Sequence, residues 1–144
     1  MIIIDVPTRH RPFELARQRR SRRQHIRSRL RKLPPDDVAT SIISYEEQIR
    51  GWTARIASAP SVERQLLAYS ELKSQLKNYC SIAIEQFDES ALVYFNQLKL
   101  SRVKIGTMDV KIASIALAKN MILLTRNTRD FSKIPGLMFE DWSI

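Results

Sequence analysis

The sequence predicts an α/β domain with a mostly parallel central sheet, and three observations carry that prediction. Short β-branched apolar runs at residues 2–4, 38–43 and 121–125 alternate with longer stretches of helical periodicity. The 144 residues, 44% hydrophobic and 27% charged, suffice for one domain with a real core and fit two poorly. A single cysteine, Cys80, leaves no disulfide framework and no thiolate-rich zinc site to replace that core. Residues 1–144 are therefore expected to form a single domain.

Taken in order, Ile2-Ile3-Ile4 reads as a buried strand ending at Asp5. Pro7 and Pro12 oppose a helix starting before about Phe13; beyond it a helix is expected, with Ile26, Leu30 and Leu33 as one apolar stripe. Pro34-Pro35-Asp36-Asp37 is a break, and residues 38–43 read as the second strand. Ser44 then opens a helix. Tyr45, Ile49, Trp52 and Ile56 recur at helical spacing, and Ser44 with Glu47 fits a capping box. Ala59-Pro60-Ser61 ends that helix and caps the next, so the pair forms a helical hairpin. The second helix of the pair carries Val62, Leu66, Tyr69, Leu76 and Tyr79 as its apolar positions. Trp52, Tyr69 and Tyr79 are the expected anchors of the hairpin, and Cys80 a half-buried packing residue.

Residues 82–87 alternate like a strand, and Asp88 caps a helix whose inward positions are Ala91, Leu92, Phe95 and Leu98. A further helix starts at Gly106-Thr107 and is apolar nearly all round over residues 110–118, which predicts burial. Residues 121–125 form a strand, residues 136–139 a short last one, and Trp142 should tuck the C-terminus against the sheet. In parallel sheets of this kind, sites form at the carboxyl ends of strands, where Asp5 and Arg126-Asn127 lie.

Charge is unevenly distributed. Between Arg9 and Lys32 eleven Lys/Arg face one acid, Glu14, so this segment carries +10 and the rest of the chain −1. The arginine-rich arm has two readings, a salt-sensitive ligand for RNA phosphates or a solvated arm; no aromatic residue after Phe13 offers a stacking platform within it. Apolar runs are too short to span a bilayer, and no signal peptide is visible, so the expected compartment is the cytoplasm, with no membrane partner.

Several chemistries can be set aside. Gly51, Gly106 and Gly136 are too scattered for a phosphate loop. His10 and His25 both sit in the basic arm, so a Ser-His-Asp or Cys-His site would need that arm inside the pocket. Carboxylates remain: Asp5, Glu46 or Glu47, Asp109 and Asp130. Each has a plain structural use. Glu47 would complete the capping box, Asp109 would stabilise a helix start by roughly 0.3–1 kcal/mol, and Asp130 would cap a turn. Asp5, directly after a buried strand, would be partly desolvated and in need of a partner.

Four segments together resemble PIN-domain proteins, and more narrowly VapC-type toxin ribonucleases of bacterial toxin–antitoxin pairs. They are Met1-Ile-Ile-Ile-Asp5, Ser41-Ile-Ile-Ser-Tyr-Glu-Glu-Gln-Ile-Arg-Gly51, residues 105–117 around Gly106-Thr-Met-Asp109, and Leu124-Thr-Arg-Asn-Thr-Arg-Asp-Phe131 with Ile134-Pro-Gly-Leu137. The resemblance implies a PIN-like three-layer α/β/α fold with a helical hairpin. It implies a metal-dependent endoribonuclease in which Mg²⁺ or Mn²⁺ is held by Asp5, Glu47 and Asp109. Counting back from Gly51 selects Glu47 over Glu46. Asn127, with Asp130 close behind, takes the last site position. The implied partners are an RNA substrate, a small antitoxin whose tail blocks the acids, and a second copy of the chain, with the hairpin contributing contacts.

Physical chemistry is consistent with that implication. Carboxylates gathered within a few ångströms repel one another, and a hard divalent ion with oxygen ligands relieves the repulsion. The chain departs from the family pattern directly after Asp5. Val6 and Pro7 replace the usual Thr and polar residue, and an arginine-rich segment at about residues 6–32 replaces a Leu-Ser-rich helix. A local frameshift restored near Gln24 or His25 would produce such a segment. The departure sets a second reading beside the first: a catalytically impaired PIN-domain protein that binds antitoxin or RNA without cleavage. A third, of another class, is a basic nucleic-acid-binding protein whose acids are structural only.

Overall fold

The computed structural model describes residues 1–5 and 24–142. The structure of the segment between Asp5 and Gln24, on which the expected helix from Phe13 and the frameshift reading fall, lies outside the described residues. Five strands form one sheet: β1 (Ile2–Ile4), β2 (Val38–Ser41), β3 (Ala83–Glu85), β4 (Ile122–Leu124) and β5 (Phe139–Glu140). Their order is β3-β2-β1-β4-β5 and every pairing is parallel. Parallel strands need crossovers, and helices supply them: α2 (Ile42–Ser58), α3 (Val62–Cys80), α4 (Glu89–Leu100), α5 (Thr107–Lys119) and the short α6 (Thr128–Phe131). Helical residues 24–30, here α1, precede a 3-10 turn at Pro35–Asp37.

Register puts Ile3 opposite Ala39 on one side and Leu123 on the other, and alternation divides the central side chains between the faces. Ile3, Ala39 and Leu123 join the main core with Ile43 of α2, Ala91 and Leu98 of α4, and the buried run of α5. On the opposite face Ile2 and Leu124 pack with Trp142, and Ile26, Leu30 and Leu33 cover them. The Arg29 guanidinium stacks over the Trp142 ring at 4.2 Å. The expected Ile26–Leu30–Leu33 stripe is therefore the covering surface formed by α1 and the bend after it, and helices on both faces make the three layers. No helix among the described residues is long and apolar enough to cross a membrane.

Several local expectations shift. The second strand stops at Ser41 rather than residue 43, because the Ser41 hydroxyl accepts the Ser44 N–H at 2.9 Å and starts α2 early. On α3, Val62, Leu66, Tyr69 and Leu76 face solvent; the covered side is Gln65, Ala68, Leu72, Gln75 and Tyr79. Tyr69 is thus no anchor, whereas Trp52 and Tyr79 are buried. Leu92 and Cys80 are exposed as well. Gly106 is the N-cap of α5, and it offers no side-chain cap bond. The last strand is Phe139–Glu140, later than expected, after Gly136 turns the chain at φ 75°.

Candidate active site

The carboxyl ends of β1, β2 and β4 open onto one edge of the sheet, and each delivers a side chain there. Asp5 ends β1, tied to its neighbour by an N–H donated to the Leu124 carbonyl at 3.0 Å. The residue is only 9% exposed, and its carboxylate accepts a hydrogen bond from the Thr125 hydroxyl at 3.2 Å. The chain leaves β2 through the Ser41 cap directly into α2. With Ser41 as the cap, the capping-box position falls on Ser44, whose hydroxyl lies 2.9 Å from that of Ser41. Glu47, one turn further on, has no capping duty. Glu46 turns the other way and pairs with Arg50.

Asp109 stands in the first turn of α5, and Asn127, in the turn after β4, donates from Nδ2 to Asp109 at 3.2 Å and to Asp130 at 3.1 Å. The Asn127 N–H in turn donates to the Thr125 hydroxyl at 3.1 Å. One hydrogen-bonded chain therefore runs from Asp5 through Thr125 and Asn127 to Asp109. Asp130 sits at its outer end, bonded at 2.7 Å by the Lys133 ammonium.

The acids act on one another's ionisation. Burial pushes the Asp5 carboxyl up to about 7; the Thr125 hydrogen bond works against the rise, and the charges of Asp109 and Glu47 add to it. Glu47 is also raised, by burial first and then by Asp109 and Glu46, with Arg50 opposing. Lys133 first, then Asn127, holds Asp130 below the usual carboxylate range, so its charge is already balanced. Asp5, Glu47 and Asp109 thus share one electrostatic neighbourhood, and Asp130 borders it as half of an ion pair.

The donor chemistry, three carboxylates, suits a hard divalent cation. Their spacing is looser than a closed site: among the described residues no three His, Cys, Asp or Glu side chains form a group ready to hold a metal ion. The set fits in kind and would have to draw inward on loading.

Two residues of this neighbourhood were not expected there. Thr125, read only as the end of a strand, links Asp5 to Asn127. Tyr79, read as a hairpin anchor, packs edge-on to Tyr45 at 4.8 Å, and its hydroxyl is pushed up to about 12 by burial and by Asp5 and Glu47. Its position at the end of α3, just before the strand beside β2, was the only signal in the sequence. A separate open recess of about 510 Å³ lies on α2, lined by Ile42, Ile43, Tyr45, Glu46, Ile49, Arg50 and Thr53. It adjoins the acids without containing Asp5, Glu47 or Asp109.

Residues 13–137 match the family model of the PIN domain. The chain is 30% identical over 123 residues to the tRNA(fMet)-specific endonuclease VapC of Salmonella typhimurium, covering 83% of this chain and 85% of that protein. It is 32% identical over 111 residues to ribonuclease VapC1 of Haemophilus influenzae strain R2866, covering 77% and 78%. The DNA-bound VapBC structure from Salmonella typhimurium superposes with a TM-score of 0.69 over 99% of both chains at 22% identity, a likeness of fold.

Proposed function

The chain belongs to the PIN-domain family, among its VapC-type members, and on that premise we propose that it is a metal-dependent endoribonuclease, the toxin half of a toxin–antitoxin pair. The observation that carries the reading is the convergence of Asp5, Glu47 and Asp109, three acids from distant parts of the chain: Asp109 and Glu47 raise the Asp5 carboxyl, and Asp109 raises that of Glu47. Such mutual repulsion has no structural use and is relieved by a bound cation.

Asp5 and Asp109 would hold Mg²⁺ or Mn²⁺, with Glu47 as a further ligand or as the group that orients a water. When bound, the ion supplies charge neutralisation and Lewis-acid polarisation of a phosphoryl oxygen. The chain's own residues do the rest. Thr125 fixes the rotation of the Asp5 carboxylate, and Asn127 fixes that of Asp109 while tying it to Asp130. Lys133 neutralises Asp130, which removes one negative charge from the path of an approaching phosphodiester.

The partners follow from the same premise. A small antitoxin would cover the acids, and the exposed apolar side chains of α3, Val62, Leu66, Leu67, Tyr69 and Leu76, suit contact with it or with a second copy of the chain. RNA is the substrate class. Cleavage of RNA in Mg²⁺, lost at least about 100-fold in Asp109→Asn, is the expected result. Equal cleavage by both proteins would overturn the assignment.

The second reading, an impaired protein that binds antitoxin or RNA without cutting, draws on the open spacing of the acids and on Val6-Pro7 after Asp5. Antitoxin binding with no cleavage, even in Mn²⁺, would favour it.

A further inference from the structure

The acids that would work on RNA also repel it, so the body of the domain needs cations that bring a polyanion to them. Between Lys99 and Lys133 there are eight Lys/Arg and only two acids, Asp109 and Asp130, both at the site. Four of these cations sit on two segments beside it, the turn after β4 running into α6 and the turn between α4 and α5. Arg126 and Arg129 flank Asn127, the residue that bonds Asp109, and both are exposed. Arg102 and Lys104 lie exposed in the turn between α4 and α5.

The two loops are tied together. Lys133 Nζ, bonded to Asp130 at 2.7 Å, also donates to the Lys104 carbonyl at 3.3 Å. Arg102 adopts φ 53°, a left-handed conformation unusual outside glycine, where the chain leaves α4. The ion pairs found among the described residues are Arg50–Glu46, Lys119–Asp88 and Lys133–Asp130. None of them engages Arg102, Lys104 or Arg126, and Arg129 adds only a charge effect on Asp130 behind that of Lys133.

We propose that the turn after β4 with the start of α6, carrying Arg126 and Arg129 and clamped by Lys133 to the loop carrying Arg102 and Lys104, is a phosphate-binding rim that holds the RNA backbone beside the acid centre. It rests on the nuclease reading for its substrate and goes beyond it in assigning the binding residues. It also moves RNA affinity from the arginine-rich arm to the body of the domain. Guanidinium groups suit the task because they meet phosphate oxygens with paired N–H donors. Their sequence-independent grip would act on the phosphates flanking the scissile bond and leave the chemistry to the acids.

The test uses the full chain, with Arg126→Gln/Arg129→Gln as the principal variant and Lys104→Gln as a second. Binding of a labelled single-stranded RNA is measured by fluorescence anisotropy in EDTA, from about 50 to about 200 mM salt. Cleavage is measured separately in Mg²⁺. Two lost phosphate contacts should lower the salt slope by about 1.4 and raise KM about tenfold, with kcat within about twofold. Arg64→Gln/Lys73→Gln, on the exposed side of α3, should change neither quantity. A double variant with the wild-type salt slope and KM, in a protein whose cleavage still requires Asp109, would overturn the rim and spare the nuclease. A reduced slope in a protein that cleaves no RNA would support the rim and overturn the nuclease.

Discussion

Replacing Asp5 by Asn should make the metal-free protein more stable at neutral pH, and the size of the gain follows from the burial of the carboxylate. Its pKa is 3.8 for a free side chain and about 7 in the fold, mainly through desolvation. Between those values the native state binds a proton that the unfolded chain has released. The contribution to stability is therefore complete below about pH 4 and is lost as pH rises through about 7. At about 1.36 kcal/mol per pH unit the ceiling is about 4 kcal/mol, and relaxation of the site and water entry reduce it to about 2–4 kcal/mol. Asn keeps the acceptor for the Thr125 hydroxyl and carries no charge. The assay is thermal unfolding by circular dichroism in EDTA from pH 4 to pH 8, for both proteins. Their melting temperatures should agree near pH 4 and diverge towards pH 8, with the variant higher by roughly 5–15 °C. Added Mg²⁺ should restore the wild type and leave the variant unmoved. A difference that stays flat across this range would refute the claim that Asp5 is a buried, strained carboxylate.

Other predictions concern the groups around it. Thr125→Val deletes the donor to Asp5 and the acceptor for Asn127, so it should raise the Asp5 pKa further, cost about 1–3 kcal/mol and weaken Mg²⁺ binding in a calorimetric titration. Ser41→Ala removes the true cap of α2 and should cost about 0.5–2 kcal/mol by urea unfolding, whereas Ser44→Ala, which leaves that cap in place, should cost less. Leu66→Ser/Leu67→Ser on exposed α3 should leave the melting temperature of the monomer nearly unchanged while weakening self-association or antitoxin capture in sedimentation velocity.

Much of the fold was legible because the central strands β1, β2 and β4 come from short apolar or β-branched runs and α5 is apolar nearly all round over residues 110–118. Neither pattern suits a surface element. The α2 boundary was misread because Ser41 and Ser44 stand three apart and either can cap a helix. Only the pairing of Ser41 with Glu85 across the sheet, and the hydroxyl's position against the Ser44 N–H, decides between them. That choice matters at the site, since it releases Glu47 from a capping role. On α3 the apolar stripe looked like core and faces solvent. Periodicity reports that a helix face is apolar, and says nothing about whether the domain itself or a partner covers it. Asp5, Asp109 and Asn127 stood at strand ends and a helix start, and the resemblance to the PIN-domain pattern selected them. Tyr79 and Thr125 were missed because their roles depend on contacts across the sheet that no local pattern encodes.

The central claim, that Asp5, Glu47 and Asp109 jointly hold a divalent ion, is tested most directly by titrating Mn²⁺ into the protein and following the free ion by electron paramagnetic resonance. The wild type should withdraw about one Mn²⁺ per chain from the free signal, and Asp5→Asn/Glu47→Gln/Asp109→Asn should withdraw none. Equal uptake by both proteins would contradict the account.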